Sequence, residues 1–141
     1  MSAQRMHERL GWSPSRSGAI LPDYEMIFNK HSNDGGKANI MNSPGDLVEG
    51  IIYSVNEEDL LILDKYEGVA AKQYKRHVIE VWNHNKNSIA AVAYKALNTG
   101  KVSAPSEEYL NYILEGKEFL SPGYYSKLKS TETLWHSILK R

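Results

Sequence analysis

The stretch Leu47-Val48-Glu49-Gly50-Ile51-Ile52-Tyr53-Ser54-Val55-Asn56-Glu57-Glu58-Asp59-Leu60-Leu61-Ile62-Leu63-Asp64-Lys65-Tyr66-Glu67-Gly68 changes character once, at Asn56. Residues 47–55 carry Val48, Ile51, Ile52, Tyr53 and Val55 around Gly50, a composition that suits a strand. Asn56 is a helix N-cap, because its side-chain oxygen can accept from a free amide of the first turn. Glu57, Glu58 and Asp59 place negative charge where the helix dipole favours it. Leu60, Leu61 and Leu63 supply apolar contact, Tyr66 comes a turn later, and Gly68 stops the helix.

Outward from this unit, residues 19–29 read as a strand interrupted at Pro22 and Asp23. Residues 31–36 form a polar loop, 38–41 a short strand, and Ser43-Pro44-Gly45-Asp46 a turn by composition. At the start, residues 2–10 read as a helix capped by Ser2 and ended by Gly11, with Met6 and Leu10 on one face. Downstream, 74–82 and 89–96 form a hairpin across the polar segment 83–88. Pro105 and Ser106 open a helix over 107–119, with Leu110, Ile113 and Leu114 on one face. Ser121-Pro122-Gly123 reads as a break, and 131–141 has helical spacing through Leu134, Ile138 and Leu139. Strands interleaved irregularly with few helices predict an α+β class and one domain over 1–141, with 131–141 as a C-terminal helical extension.

The 141 residues include 17 acidic and 17 basic side chains, so no strong positive field marks nucleic acid as a partner. The absence of cysteine removes disulfides and thiolate chemistry. No signal peptide and no apolar run of about 20 residues are visible, which predicts a cytoplasmic protein without a membrane partner. The five histidines form no HxH or HxxxH pair, so no metal is expected. No nucleophile elbow or phosphate-cradling glycine motif occurs, and no cofactor is expected. Nine tyrosines are many for this length; their ordinary use is packing with the hydroxyl at an edge. Glu67 stands directly before Gly68, at the helix end where exposed carbonyls disfavour a carboxylate. Two readings fit it: a solvated surface residue, or a glutamate whose pKa is raised for proton transfer.

Taken together, Asn42-Ser43-Pro44-Gly45-Asp46, Val48-Glu49-Gly50-Ile51-Ile52-Tyr53, Leu63-Asp64-Lys65-Tyr66-Glu67-Gly68-Val69, Tyr74 and Val78-Ile79-Glu80-Val81 resemble the gamma-glutamylcyclotransferase family. Gly35-Gly36-Lys37-Ala38-Asn39-Ile40 upstream is similar to that family's glycine-rich entry into a strand. Ala104-Pro105-Ser106, Tyr109, Gly116, Pro122 and Tyr125 to Leu128 match its C-terminal pattern. The resemblance implies a small mixed β-barrel with packed helices, often a homodimer. It implies release of 5-oxoproline from a gamma-glutamyl amide by attack of the substrate's own α-amine. Glu67 would be the catalytic base and acid, Tyr109 a substrate contact, and Tyr74 and Tyr94 neighbours of the pocket. Gamma-glutamyl amino acids, gamma-glutamylamines, glutathione and acylated natural products share the attacked end.

Two departures from the family pattern are visible. Its Tyr-Gly-Ser-Asn loop, between first strand and first helix, is absent, and Met1-Ser2-Ala3-Gln4-Arg5-Met6-His7-Glu8-Arg9 resembles the family's segment immediately after that loop. The start has been assigned at an internal methionine, or the chain lacks the family's first strand. The second alternative leaves an impaired member that binds a small ligand or protein without turnover. Lys117 stands where the family usually has alanine.

Overall fold

A computed structural model describes residues 1–134. The elements run α1 (Ala3–Leu10), β1 (Arg16–Lys30), β2 (Lys37–Tyr53), α2 (Glu57–Glu67), β3 (Tyr74–Asn83), β4 (Ser88–Ala96), α3 (Glu107–Leu114) and α4 (Pro122–Lys129). A 3-10 turn over Lys117–Phe119 separates α3 from α4. The helical spacing expected over 131–141 falls mostly on 135–141, outside the described residues, and 131–133 is irregular. Among the described residues no helix is long and apolar enough to cross a membrane.

The strands form one sheet in the order β2-β1-β3-β4. Every pairing is antiparallel, so the class is α+β as expected, but the sheet is neither mixed nor closed into a barrel. Hairpin-type connections between β1 and β2 and between β3 and β4 impose the antiparallel sense. The two hairpins share strand pairing only where Ala19 pairs with Asn83 and Ile20 with Trp82. β2 and β4 are therefore left as edges. Between them lies an apolar trough of about 940 Å³, lined by residues such as Ile51, Val55, Ile79, Val81, Ala91 and Ala93.

Residues 38–41, 43–46 and 47–55 were expected as strand, turn and strand; 37–53 is one strand, β2. Pairing resumes on both sides of the turn-like segment, with Tyr24 opposite Asn42 and Pro22 opposite Leu47. Residues 43–46 thus bulge against Asp23, whose carboxylate accepts from the Gly45 amide at 3.0 Å. The bulge also accommodates Pro22, which has no amide to give a ladder.

The helix starts obey local chemistry. At α2, Asn56 accepts from the Asp59 amide at 2.8 Å and Asp59 accepts from the Asn56 amide at 3.2 Å, a reciprocal capping box. Buried Asp59 also accepts from the Trp12 indole at 3.1 Å, which ties the segment after α1 to the head of α2. The helix expected over 107–119 stops at Leu114, where the Gly116 backbone is pressed closely against Met1 and Ile51. The expected break at Ser121-Pro122-Gly123 is the start of α4. Ser121 caps it, Pro122 occupies its first turn, and the Glu49 carboxylate on β2 accepts from the Ser121 amide and hydroxyl, both at 2.7 Å. Phe28, Leu110, Ile113, Leu120 and Leu128 bury together and fasten α3 and α4 to β1. Each such side chain contributes about 1.5–3 kcal/mol by leaving water.

Candidate active site

Glu67 is the last residue of α2. Gly68 comes next in the left-handed conformation, φ 67° and ψ 38°, and its amide closes on the Asp64 and Lys65 carbonyls. The chain is thereby turned away, and the Glu67 side chain faces a cavity of about 440 Å³ with 27% of its surface exposed. Tyr74 from β3, Tyr94 from β4 and Tyr109 from α3 line the same cavity. The four residues singled out in the sequence come from four different elements and meet at one place.

Cations complete the wall. Arg5 and Arg9, one turn apart on α1, line the cavity with Lys37 at the start of β2. The Arg9 guanidinium lies 3.8 Å from Glu67 Oε1 and stacks over the Tyr66 ring at 4.9 Å. Arg5 lies over the Tyr112 ring at 4.4 Å, and Lys37 Nζ over the Tyr109 ring at 4.2 Å. These three cations were not recognised in the sequence. The i,i+4 spacing of Arg5 and Arg9 on a capped helix was the available signal; Lys37 gave none. Among the described residues Glu67 is the one carboxylate in this wall.

Burial raises the Glu67 pKa above the ordinary carboxylate range, while Arg9 and then Arg5 hold it down. The tyrosines are shifted upward for the same leading reason. Burial acts first on Tyr74, with Tyr109 and Glu67 adding to it. On Tyr94, burial is followed by the bond to Asp64. On Tyr109, burial outweighs the opposing Ala38 amide.

A charged frame stands behind the wall. Arg76 on β3 grips Asp64 through Nε at 3.0 Å and Nη2 at 2.8 Å, and reaches Glu57 at 3.0 Å. The guanidinium holds the Asp64 carboxyl below the usual range against the cost of burying it, and the Tyr94 hydroxyl, 2.6 Å away, adds to that effect. This frame fixes β3 and β4 to α2 and so positions Tyr94 relative to Glu67. Among the described residues no group of three or more histidines, aspartates and glutamates gathers to hold a metal. Among the described residues no carboxylate lines the larger trough between β2 and β4, whereas Glu67 lines the smaller cavity.

Residues 47–128 match the model of the AIG2-like family. A gamma-glutamylcyclotransferase of Bos taurus is 31% identical over 137 residues, spanning 92% of this chain and 72% of that protein. The chain belongs to the gamma-glutamylcyclotransferase family. A Homo sapiens gamma-glutamylcyclotransferase, 29% identical over 137 residues, spans the same shares. A solved gamma-glutamyl cyclotransferase structure matches with a TM-score of 0.86 and 30% identity, over 94% of this chain and 82% of that one. As a member of the gamma-glutamylcyclotransferase family the chain is an enzyme of that type, and its four-stranded antiparallel sheet with packed helices is the fold it shares with that structure.

Proposed function

We propose that the chain releases 5-oxoproline from a small gamma-glutamyl amide, with Glu67 moving the protons. The observation that carries this reading is one half-buried carboxylate facing a cavity walled by Arg5, Arg9 and Lys37. Such a wall attracts an anionic amino-acid-like molecule, and guanidinium groups suit its α-carboxylate.

The substrate brings its own nucleophile, so most of the entropic cost of joining two reactants is already met. Glu67 accepts one proton from the α-ammonium. The amine lone pair then forms a bond to the γ-carbon, and the carbonyl π pair moves onto oxygen. Collapse breaks the bond to the leaving nitrogen, which takes the proton from Glu67. A second proton leaves the new ring nitrogen through Glu67 and reaches the released amine. The carboxylate ends as it began, acting as base and acid in turn. An unperturbed glutamate, near pKa 4.3, is a poor base toward an ammonium near 8; burial narrows that gap. Cytoplasmic residence and homodimer formation belong to the same proposal and rest on the family likeness.

The direct test is release of 5-oxoproline, read by mass spectrometry, from a panel of gamma-glutamyl amino acids and amines. Release from any of them supports the reading. Binding of the panel without release from folded protein favours the ligand-binding alternative. The pH profile tests the role of Glu67 separately. The acid limb of kcat/KM tracks ionisation of the free enzyme's base, and Arg9 holds that ionisation at lower pH. Arg9→Gln is therefore expected to move the acid limb to higher pH, whatever it does to KM. A midpoint that stays put or moves down would remove Glu67 as the titrating base.

A further inference from the structure

Asp64 stands one turn before Glu67 on α2, and residues three apart on a helix share a face. Neither Asp64 nor Arg76 lines the cavity. The Asp64 side chain is 17% exposed. It accepts from Arg76 on both oxygens, at 3.0 and 2.8 Å, and from the Tyr94 hydroxyl at 2.6 Å. Its backbone carbonyl accepts from the Gly68 amide and, at 3.0 Å, from the Val69 amide, which closes the turn after Glu67. One residue therefore anchors the chain on both sides of Glu67: its side chain to β3 and β4, its carbonyl to the turn. Arg76 also reaches Glu57 at 3.0 Å, so the guanidinium lies along two turns of α2. The Arg9–Glu67 pair, at 3.8 Å, is longer than a hydrogen bond and does not by itself fix the carboxylate. The place of that carboxylate rests on the helix end that carries it.

We infer that Asp64 and Arg76 are positioning residues for Glu67: their clamp fixes the last turn of α2, and with it the separation of Glu67 from Arg9. The effect on turnover rests on the cyclotransferase reading; the effect on that separation rests on geometry alone. The last carbonyls of a helix have no partners within it, and helix ends fray. A carboxylate carried there keeps its place only when the turn is tied down. Displacing a catalytic group by about 1 Å costs about 10²-fold in rate. The clamp needs Asp64 as a pure acceptor, because Arg76 and the Tyr94 hydroxyl both donate to it. The guanidinium fork supplies charge and direction together. The charged groups facing Glu67 are Arg5, Arg9 and the Met1 amine beside α1, and Lys37 on β2. The tyrosines that β2, α2, β3, β4 and α3 contribute are neutral near pH 7. Burial raises the Glu67 pKa, and among these charges Arg9 opposes it most strongly. That makes Arg9 a ruler for the place of Glu67.

Carbon-13 NMR of carboxyl-labelled glutamate, with Glu67→Gln to assign the resonance, reads the Glu67 pKa without turnover. Arg9→Gln is expected to raise that pKa in the wild-type background and to raise it only about half as far in Arg76→Lys, because the coupling falls with distance. Lysine keeps the charge beside Asp64, and so the fold, but cannot grip both oxygens and Glu57 at once. The double-mutant cycle separates this coupling from any general loss of stability. An equal rise in both backgrounds, or no rise in wild type, overturns the assignment. In turnover below the onset of unfolding, Arg76→Lys is expected to lower kcat about 10-fold and Arg76→Gln about 10²-fold, with KM changed only a few-fold. A folded Arg76→Lys protein with wild-type kcat overturns the positioning role, and this variant decides even where Arg76→Gln does not fold. A cycle that behaves as expected in a protein releasing no 5-oxoproline upholds the hold on Glu67 and sinks the cyclotransferase reading.

Discussion

Glu67→Gln is expected to leave the protein folded and to lower 5-oxoproline release by about 10²–10⁴-fold, the range that one general acid–base group contributes. Glutamine keeps the shape of the side chain, so the cavity with Arg9, Tyr74 and Tyr109 is preserved. It cannot take a proton from an ammonium near neutral pH, and among the described residues no second carboxylate lines the cavity to replace it. The same variant carries a stability signature. Burial raises the folded-state pKa of Glu67 above its unfolded value, so the folded protein holds the extra proton in the window between the two. Stability from this group is present below the unfolded pKa and is lost as pH rises through the folded pKa. Thermal melts tracked by circular dichroism are expected to show wild type losing ground to Glu67→Gln as pH rises from about 4 through that window. Near-normal release from a folded Glu67→Gln protein would eliminate the proton-transfer role.

Gly36→Ala is expected to produce the largest loss of stability among single small-residue changes near the site. A Cβ at Gly36 would lie 2.2 Å from the Ser103 carbonyl oxygen and 3.0 Å from the Phe28 carbonyl oxygen. These are backbone atoms, and the Ser103 amide is itself bonded to the Phe28 carbonyl at 2.9 Å, so neither can swing aside. Gly36 also donates to the Ala104 carbonyl at 3.0 Å, next to fully buried Pro105. One methyl group must therefore push the 103–106 segment off β1. Overpacking of this kind costs about 1–3 kcal/mol, which for a domain of this size lowers Tm by about 3–12 °C. Activity is expected to fall as well, because Gly36 immediately precedes Lys37 and the Ala38 peptide that holds Tyr74 and Tyr109. Gly50→Ala is the control: its Cβ meets open space, and Tm is expected to stay within about a degree, consistent with an unstrained surface change. Calorimetric melts that coincide for Gly36→Ala and wild type would refute the close-approach argument.

The residues that were legible from the sequence share a physical cause. Asn56, Ser2, Gly11 and Gly68 act on amides and carbonyls within four positions, and each capped or ended its helix as expected. The 74–96 hairpin came from alternation and a polar turn, which also operate locally. Glu67 drew attention because its place before Gly68 conflicts with the helix dipole; that place alone left a solvated surface residue open, and the resemblance singled it out, while the structure sets its side chain in the cavity wall. Composition misled where partners came from afar. Ser43-Pro44-Gly45-Asp46 has the chemistry of a turn, yet β1 pairs on both sides of it and Asp23 takes the Gly45 amide, so the strand runs on through a bulge. Ser121-Pro122 stops nothing, because Glu49, 72 positions away, anchors the cap of a new helix there.

The sequence by itself determined the α+β class, the main helix and its ends, the hairpin, the position of Glu67 and the family to which the chain belongs. Only the tertiary structure decided that Arg5, Arg9 and Lys37 surround that carboxylate, that the sheet stays open between β2 and β4, and that Arg76 and Tyr94 hold Asp64 one turn behind Glu67. Caps and periodicities are written within a few residues of the backbone they satisfy. The clamp on Asp64 depends on which side chains the sheet sets opposite it, and here those partners, Arg76 and Tyr94, lie 12 and 30 positions away.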